Sequence, residues 1–146
     1  MPIPLILVLG PTASGKTALA LHLARACDGE IVNADAMAVY RDMDIGTAKP
    51  SPAERAAVPH HCVDCVPVSE PCNLARWLTM AEAAIADIDR RGKVPVVAGG
   101  SPLYSKALLE GLSAGPPKDP AVRAALEERY RREGGEALLA ELQRVD

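Results

Sequence analysis

Eight residues near the amino terminus have the types and spacing of a phosphate-binding loop. The segment GPTASGKT fits the pattern G-x-x-x-x-G-K-[ST] at every defined position. Glycines let the backbone wrap a phosphate and point its N–H groups inward, and the following helix N-terminus adds partial positive charge. The loop predicts a ligand that carries a diphosphate or triphosphate. Its residues are Gly10, Pro11, Thr12, Ala13, Ser14, Gly15, Lys16 and Thr17, with the Lys16 ammonium on phosphate oxygens and the Thr17 hydroxyl on Mg²⁺.

A carboxylate follows the second predicted strand. Asp35 comes directly after the short apolar segment Glu30–Ala34. In doubly wound sheets the carboxyl ends of the strands face the ligand crevice, so a carboxylate there can take a proton from an attacking group or hold Mg²⁺. The alternative is a surface aspartate that caps the next turn. Asp42 and Asp44 are weaker candidates because their surroundings have ordinary turn chemistry.

Alternating strand and helix patterns position these residues. Short apolar runs predict strands and helical spacing predicts helices. The strands are Pro4–Leu9, Glu30–Ala34, Cys62–Val66 and Lys93–Ala98, and the helices are Thr17–Cys27, Asn73 to about Arg91, and Pro102–Glu110. Gly29 and Gly92 are expected to end the first two helices, and Asp42–Glu54 is a predicted loop. The alternation predicts an α/β fold, a P-loop NTPase-like parallel sheet with flanking helices.

The character of the chain changes near its end. Pro116–Pro117 is a predicted break, and Asp119–Arg132 and Glu136–Arg144 are predicted charged helices without strands. We therefore expect two domains, an α/β core over residues 1–115 and a helical element over residues 116–146.

The composition is that of an ordinary soluble globular protein. The chain has 146 residues, of which 49% are apolar and 24% charged, and a net charge of −3, which gives no support for binding to nucleic acid.

We identify no signal peptide and no membrane-spanning stretch, so a cytoplasmic protein with reduced cysteines is expected. Cys62 and Cys65 follow a histidine pair but lack a second C-x₂-C unit, so they are interpreted as strand core residues, not metal ligands. Trp77 lies on the apolar face of its helix and is predicted to be core.

The segment around Asp35 carries a family resemblance. NADAMAVYRDMDIGTAKPSPAE, together with GPTASGKT, resembles the tRNA dimethylallyltransferases, also called tRNA isopentenyltransferases, whose pattern is roughly [SN]-A-D-S-x-Q-V-Y-x-x-M-D-I-G-T-A-K-P. The resemblance continues at Pro59–His61, Asp64, Arg91–Lys93, Gly99–Tyr104 and Leu108–Leu112. It covers essentially the whole chain, and the last stretch resembles the opening of the family's helical insertion. Since family members run to about twice this length, the resemblance implies a truncated chain with poor activity on tRNA.

The resemblance implies a reaction and roles for the candidate residues. A dimethylallyl group would pass from dimethylallyl diphosphate to the exocyclic amine of the adenosine just 3′ of the tRNA anticodon, adenosine 37, with release of pyrophosphate. The P-loop would then bind the diphosphate with Mg²⁺, and not ATP. Asp35 would accept a proton from the amine, and Ser101 would hydrogen-bond the diphosphate or a metal-bound water. The implied partners are dimethylallyl diphosphate and the tRNA anticodon loop; no membrane partner is implied, and a monomer is expected.

Three positions depart from the family pattern. Ala36 and Ala38 replace a serine and a glutamine, which removes a hydroxyl and an amide that could read a base. In GGSPLY, Ser101 keeps the hydroxyl of the family threonine, but Pro102 removes a backbone N–H. The histidine pair belongs to the family pattern, and the sequence assigns it no role.

Other functions are compatible with the same residues. A small P-loop kinase that uses ATP can also place a carboxylate after its second strand. A related enzyme type prenylates free adenine nucleotides instead of tRNA. A third possibility is a non-catalytic fold that binds diphosphate, motivated by the substitutions at Ala36 and Ala38.

Overall fold

Four parallel strands form one sheet in the computed structural model, which describes residues 3–112, 115 and 118–145. The strands are β1 (Ile6–Leu9), β2 (Gly29–Asn33), β3 (His60–His61) and β4 (Val94–Gly99), and their order in space is β1-β4-β2-β3. The central strands β2 and β4 are largely buried, as expected where helices cover both sides of a parallel sheet. The predicted P-loop NTPase-like parallel sheet is confirmed.

Helices cover the two faces of this sheet. They are α1 (Lys16–Ala26), α3 (Leu74–Arg90) and α4 (Pro102–Glu110), while the short helix α2 (Pro52–Ala57) buries none of its residues. Asn73 caps α3 as predicted, because its side-chain oxygen accepts a hydrogen bond from the Arg76 N–H at 2.8 Å. Ala20 and Ala24 of α1 pack on one face with Ile31 and Val96, while α3 and α4 pack on the other.

Trp77 lies at the centre of the α3 side of the sheet. Its side chain is fully buried and stacks on Tyr104 of α4, with ring centroids 4.4 Å apart. The indole N–H donates a hydrogen bond to the Asn33 carbonyl at 3.0 Å, at the end of β2. The predicted core position of Trp77 is confirmed, and the buried indole N–H has the partner that such groups usually need.

The predicted strand Cys62–Val66 is wrong. The third strand is instead His60–His61, which pairs with Ile31 and Val32 of β2. Directly after it, Cys62 and Asp64 have φ values of 58° and 52°, in the left-handed region, so the chain turns out of the extended conformation. Cys62 is buried in the core as expected, but in a turn, and Cys65 is only half-buried.

Two further boundaries differ from the sequence prediction. The predicted loop Asp42–Glu54 ends early, because α2 begins at Pro52 behind a capping box in which Ser51 and Glu54 bond each other's backbone N–H groups. Proline is favoured at the first position of a helix, so Pro52 starts this helix instead of breaking it. Gly29 does not end α1: Cys27 is its C-cap, Asp28 takes the left-handed conformation with φ 50°, and Gly29 already belongs to β2.

The chain divides into two compact units, Met1–Leu112 and Ser113–Asp146. The described part of the second unit contains helices α5 (Pro120–Glu133) and α6 (Gly135–Val145), close to the predicted charged helices. Asp119 caps α5 through its side-chain oxygen. The predicted break at Pro116–Pro117 lies outside the described residues. No helix in the described part of the chain is both long enough and apolar enough to pass through a membrane.

Candidate functional site

The P-loop connects the end of β1 to the start of α1. Gly15 has a φ of 84°, which L side chains rarely adopt, and it precedes Lys16, the first residue of α1. The helix start has no side-chain cap and no acidic residue in its first turn. Its N–H groups and the positive end of the helix dipole are therefore free for an anion, as the sequence predicted.

Lys16 folds back over the loop. Its Nζ donates a hydrogen bond to the Pro11 carbonyl at 2.5 Å. A Cβ atom on Gly100 would lie 3.7 Å from the same Nζ, so the ammonium also lies beside the end of β4. An ammonium has three donors, and the carbonyl uses one of them. The others are available to phosphate oxygens bound in the loop.

Asp35 combines the two interpretations that the sequence left open. Its Oδ1 accepts hydrogen bonds from the N–H groups of Met37 at 2.8 Å and Ala38 at 3.3 Å, so the side chain does cap the following turn. The same residue lines the cavity beside the P-loop. The two N–H groups fix the orientation of the carboxylate, and Oδ2 has no partner among the described residues.

Gly99 brings β4 against the backbone that precedes Asp35. A Cβ atom on Gly99 would lie 2.1 Å from the Ala34 carbonyl oxygen, so no side chain fits at this position. The Ala34 N–H donates to the Ala98 carbonyl at 2.8 Å. The close approach of these two strand ends places Asp35 beside Gly99–Gly100, at the carboxyl edge of the sheet.

A cavity of about 500 Å³ joins the P-loop to Asp35. Its lining includes Thr12–Thr17, Asp35, Gly99–Gly100, and Ile31, Asn33 and His60. The P-loop follows β1 at one edge of the sheet, whereas Ile31 and Asn33 lie on β2 and His60 on β3, towards the other edge, so we call the part of the cavity at these three residues its far end. Its volume is within the range of small-molecule sites. The structure therefore brings Asp35 and most of the P-loop residues to one cavity, as the sequence predicted.

Comparison with known proteins agrees with this arrangement. The model of the IPP transferase family matches residues 38–146. The chain belongs to the IPP transferase family. A second family model, isopentenyl transferase, matches residues 3–68. The resemblance predicted from the sequence is thereby confirmed.

Individual relatives of this IPP transferase chain give the same result. A tRNA dimethylallyltransferase of Anaeromyxobacter sp. strain K is 57% identical over 142 residues, which cover 97% of this chain and 47% of that protein. The full-length tRNA isopentenylpyrophosphate transferase of Bacillus halodurans superposes with a TM-score of 0.75 at 37% identity, covering 99% of this chain and 48% of that one. A eukaryotic dimethylallyltransferase solved while acting on tRNA has a TM-score of 0.67 at 37% identity, and the superposition covers 80% of this chain and 28% of that one. The chain thus spans about half the length of the curated relatives it matches.

Ser101 lies outside the cavity that contains Asp35. It is the N-cap residue of α4 and lines a second cavity of about 340 Å³ with Leu9, Pro11 and Ser105. The two cavities share Gly99 and Gly100. Pro102 is at the first position of α4, where a backbone N–H has no partner within the helix, so the substitution removes no helical hydrogen bond.

The two family histidines point to opposite faces of the sheet. His60 pairs with Ile31 and lines the cavity, whereas His61 pairs with Val32 and bonds Glu30 at 2.7 Å. Alternation along a strand explains the difference. The arrangement gives the histidine pair two distinct environments, which the sequence alone did not separate.

A buried carboxylate links three elements of the sheet, and sequence analysis missed it. Glu30 is 3% exposed and bonds both Arg91, at the C-cap of α3, and His61 of β3. The Arg91 hydrogen bond, against the opposing effect of burial and with help from His61, lowers the pKa of Glu30 to about 2. The only sequence signals were a charged residue within an apolar strand and the family positions of Arg91 and His61.

A second ion cluster fixes the segment between β2 and β3. The Lys49 ammonium donates to the Tyr40 carbonyl at 2.9 Å and to the carboxylates of Asp44 at 2.7 Å and Asp64 at 2.6 Å. Burial opposes its charge, but these carboxylates outweigh burial and raise the pKa of Lys49. Asp64 also binds Arg55. The family positions Lys49 and Asp64 thus hold the segment between β2 and β3 to the turn after β3, and Asp44 belongs to this cluster instead of the cavity.

The residues present fit a magnesium ion bound mainly through its substrate. In the described part of the chain, no cluster of three or more His, Cys, Asp and Glu side chains is placed to hold a metal. Mg²⁺ commonly uses one or two protein oxygens together with substrate phosphates and water. The Thr17 hydroxyl and the Asp35 carboxylate are hard oxygen donors on the same cavity, which agrees with that mode.

Proposed function

We propose that this chain forms the diphosphate-binding and proton-accepting part of a tRNA dimethylallyltransferase. The dimethylallyl group of dimethylallyl diphosphate is transferred to the exocyclic amine of adenosine 37 in the tRNA anticodon loop. The observation that carries the proposal is the single cavity shared by the P-loop and Asp35. Membership of the IPP transferase family and the names of its relatives support the same reaction.

The P-loop holds the leaving group in this proposal. Its free N–H groups, the α1 dipole and the Lys16 ammonium bind the diphosphate and stabilise the charge that develops on it as the carbon–oxygen bond breaks. Thr17 is the protein ligand for Mg²⁺, which when bound would neutralise further diphosphate charge. Pro11, Thr12, Ala13 and Ser14 complete the backbone that wraps the phosphates.

Asp35 accepts the proton in this proposal. The nitrogen of the amine forms a bond to the first carbon of the dimethylallyl group while the diphosphate oxygen leaves with the bonding electrons. The amine proton then passes to Oδ2 of Asp35, because Oδ1 is held by two backbone N–H groups. Positioned general-base catalysis is typically worth about 10²–10⁴ in rate.

Ser101 contacts the diphosphate from the neighbouring cavity. Its position at the start of α4, next to Gly100, is compatible with a hydrogen bond to a diphosphate oxygen or to a metal-bound water. The residues after Gly115 begin the helical insertion of the family, and the α/β part ends there. A cytoplasmic location is part of this proposal, in keeping with relatives that are named for a tRNA substrate. The proposal also takes the protein to be a monomer.

Ligand-dependent thermal stability tests the proposed leaving group. With Mg²⁺ present, pyrophosphate and dimethylallyl diphosphate are expected to raise the melting temperature of the chain more than ATP does, because the site holds two linked phosphates and a short apolar group. Equal or greater stabilisation by ATP contradicts the proposal and favours a P-loop kinase.

Adenine nucleotides are a second possible acceptor. The isopentenyl transferase model that matches residues 3–68 names a prenyl transfer and no particular acceptor. Competition between AMP and an anticodon stem–loop RNA for the chain loaded with Mg²⁺ and pyrophosphate distinguishes the two. Tighter binding of the RNA is expected, and tighter binding of AMP would assign the chain to nucleotide prenylation.

A further inference from the structure

Two polar side chains lie on an otherwise apolar face of the sheet. On the α1 side, the paired positions of β1, β4, β2 and β3 form two rows, Val8–Ala98–Asn33 and Ile6–Val96–Ile31–His60. Asn33 and His60 are the polar members of these rows, and both line the 500 Å³ cavity. A polar group placed among apolar neighbours needs a hydrogen-bond partner.

The amide side chain of Asn33 has no hydrogen-bond partner in the part of the chain that the structure describes. Its Nδ2 is buried, and neither this atom nor Oδ1 is hydrogen-bonded to any described residue. The Trp77 indole uses only the backbone carbonyl of Asn33. A buried donor without a partner is costly, and such groups in native proteins call for an explanation. Because a half-turn about χ2 exchanges the two ends of the amide, Asn33 can present either a donor or an acceptor to the cavity.

His60 presents an acceptor to the same end of the cavity. Its Nδ1 lies 2.8 Å from the Val58 carbonyl, and only an N–H can bond a carbonyl, so Nδ1 carries a proton. Burial lowers the pKa of His60, which keeps the ring neutral at neutral pH. In a neutral imidazole with a protonated Nδ1, Nε2 is an acceptor. Nε2 has no partner among the described residues.

The far end of the cavity is unsuited to phosphate. The Lys49 ammonium near it is already bound by Tyr40, Asp44 and Asp64. The acidic side chain on this wall, Glu54, is held by Ser51 in the capping box of α2. The apolar lining residues from β2 and from the segment between β2 and β3 are Ile31, Ala38, Ala48 and Pro50. Such an environment suits a neutral, flat group with both donor and acceptor atoms.

We infer that Asn33 and His60 are specificity-determining residues that bind the acceptor adenosine, Asn33 at its purine ring and the His60 acceptor at a ribose hydroxyl. The inference rests on the proposed function and names the substrate group that the far end of the cavity takes. Asparagine is matched to the amine and N7 edge of adenine, where it accepts from one N6–H and donates to N7. The second N6–H remains available to Asp35, which lines the same cavity.

Adenosine binding to the 146-residue chain, saturated with Mg²⁺ and pyrophosphate and followed by NMR titration, tests the inference. We expect His60→Phe to weaken adenosine binding about fivefold to tenfold, the loss for one neutral hydrogen bond, and Asn33→Leu, which removes two, to weaken it about tenfold to 100-fold. His60→Gln, which keeps an acceptor, is expected to restore part of the loss. His22→Phe, on the exposed face of α1, is the matched control and should change nothing.

Analogues on the unaltered chain provide a test that needs no variant. 7-Deazaadenosine lacks the N7 acceptor, so it should bind about fivefold to tenfold more weakly than adenosine, and Asn33→Leu should weaken its binding by a smaller factor than it weakens that of adenosine, because only the N6–H bond remains to be lost. The inference is overturned if adenosine does not bind, if both variants bind it as the unaltered chain does, or if Asn33→Leu tightens dimethylallyl diphosphate relative to pyrophosphate. Failure of pyrophosphate to bind the unaltered chain would instead contradict the proposed function.

Discussion

The two walls of the cavity are built in different ways. The P-loop wall consists of consecutive residues whose contacts are local, such as the bonds from Lys16 and Ser14 to the Pro11 carbonyl. The opposite wall depends on contacts between residues far apart in the chain, where Trp77 and Gly99 hold the end of β2. A change in the first wall should therefore alter ligand binding with little effect on folding, whereas a change in the second should alter folding first.

The largest effect is expected at Trp77, the central contact of the second wall. Trp77→Ala leaves a cavity against Tyr104 and should lower the free energy of unfolding by about 3–5 kcal/mol, measured by urea denaturation. Trp77→Phe keeps most of the ring packing but loses the bond to the Asn33 carbonyl, at a cost of about 1–2 kcal/mol. Equal losses in the two variants would show that ring packing contributes nothing.

Gly99→Ala should disturb the same wall by separating two backbone segments that lie in contact. Because the new Cβ would lie 2.1 Å from the Ala34 carbonyl oxygen, the strand ends must separate, and a loss of about 3 kcal/mol is expected. Gly100→Ala is the matched control, since its Cβ would come no closer than 3.7 Å to any neighbour. Similar melting temperatures for the two variants would contradict the close approach.

Acid should weaken the second wall through Glu30. The pKa of Glu30 is about 2 in the folded protein, against an ordinary value of 4.5, because Arg91 and His61 bind the carboxylate. The unfolded chain therefore binds more protons between these values, so the stabilisation is complete above pH 4.5 and is lost as the pH falls towards 2. The free energy of unfolding should fall by about 3 kcal/mol over this pH range.

Denaturation curves from pH 6 to pH 2 measure this loss. Glu30→Gln should lower stability at neutral pH and flatten the acid dependence. Glu82→Gln, on the exposed face of α3, is the control and should leave the curve unchanged. An acid dependence that persists in Glu30→Gln would assign the effect to other carboxylates.

The smallest effect on folding is expected in the P-loop wall. Lys16→Ala should weaken binding of Mg²⁺–pyrophosphate about 10–100-fold by calorimetry, because one charge-assisted contact is lost. The melting temperature without ligand should stay within about 1 °C, since Lys16 is not part of either core cluster. Lys106→Ala, an exposed lysine of α4, is the control for charge alone.

The P-loop and the long helices could be predicted from the sequence because they depend on neighbouring residues. The GPTASGKT spacing, the Asn73 cap and the apolar face of α3 are local patterns, and all three occur as expected. The third strand could not be placed in this way. Left-handed turns at Cys62 and Asp64 end it early, and nothing in the apolar character of Cys62–Val66 indicates them.

The sequence by itself determined the family, the parallel sheet and the residues that meet at the carboxyl edge. Periodicity and motif spacing are properties of the amino-acid sequence itself, so they can be recognised without knowing how distant segments pack. Only the tertiary structure decided which side chains share a cavity. It separated Ser101 from Asp35, turned His60 towards the cavity and His61 towards Glu30, and left the Asn33 amide without a hydrogen-bond partner among the described residues. Those outcomes depend on strand register and on the close approach of backbone segments that are far apart in the chain. The spacing of residues along the sequence specifies neither of them.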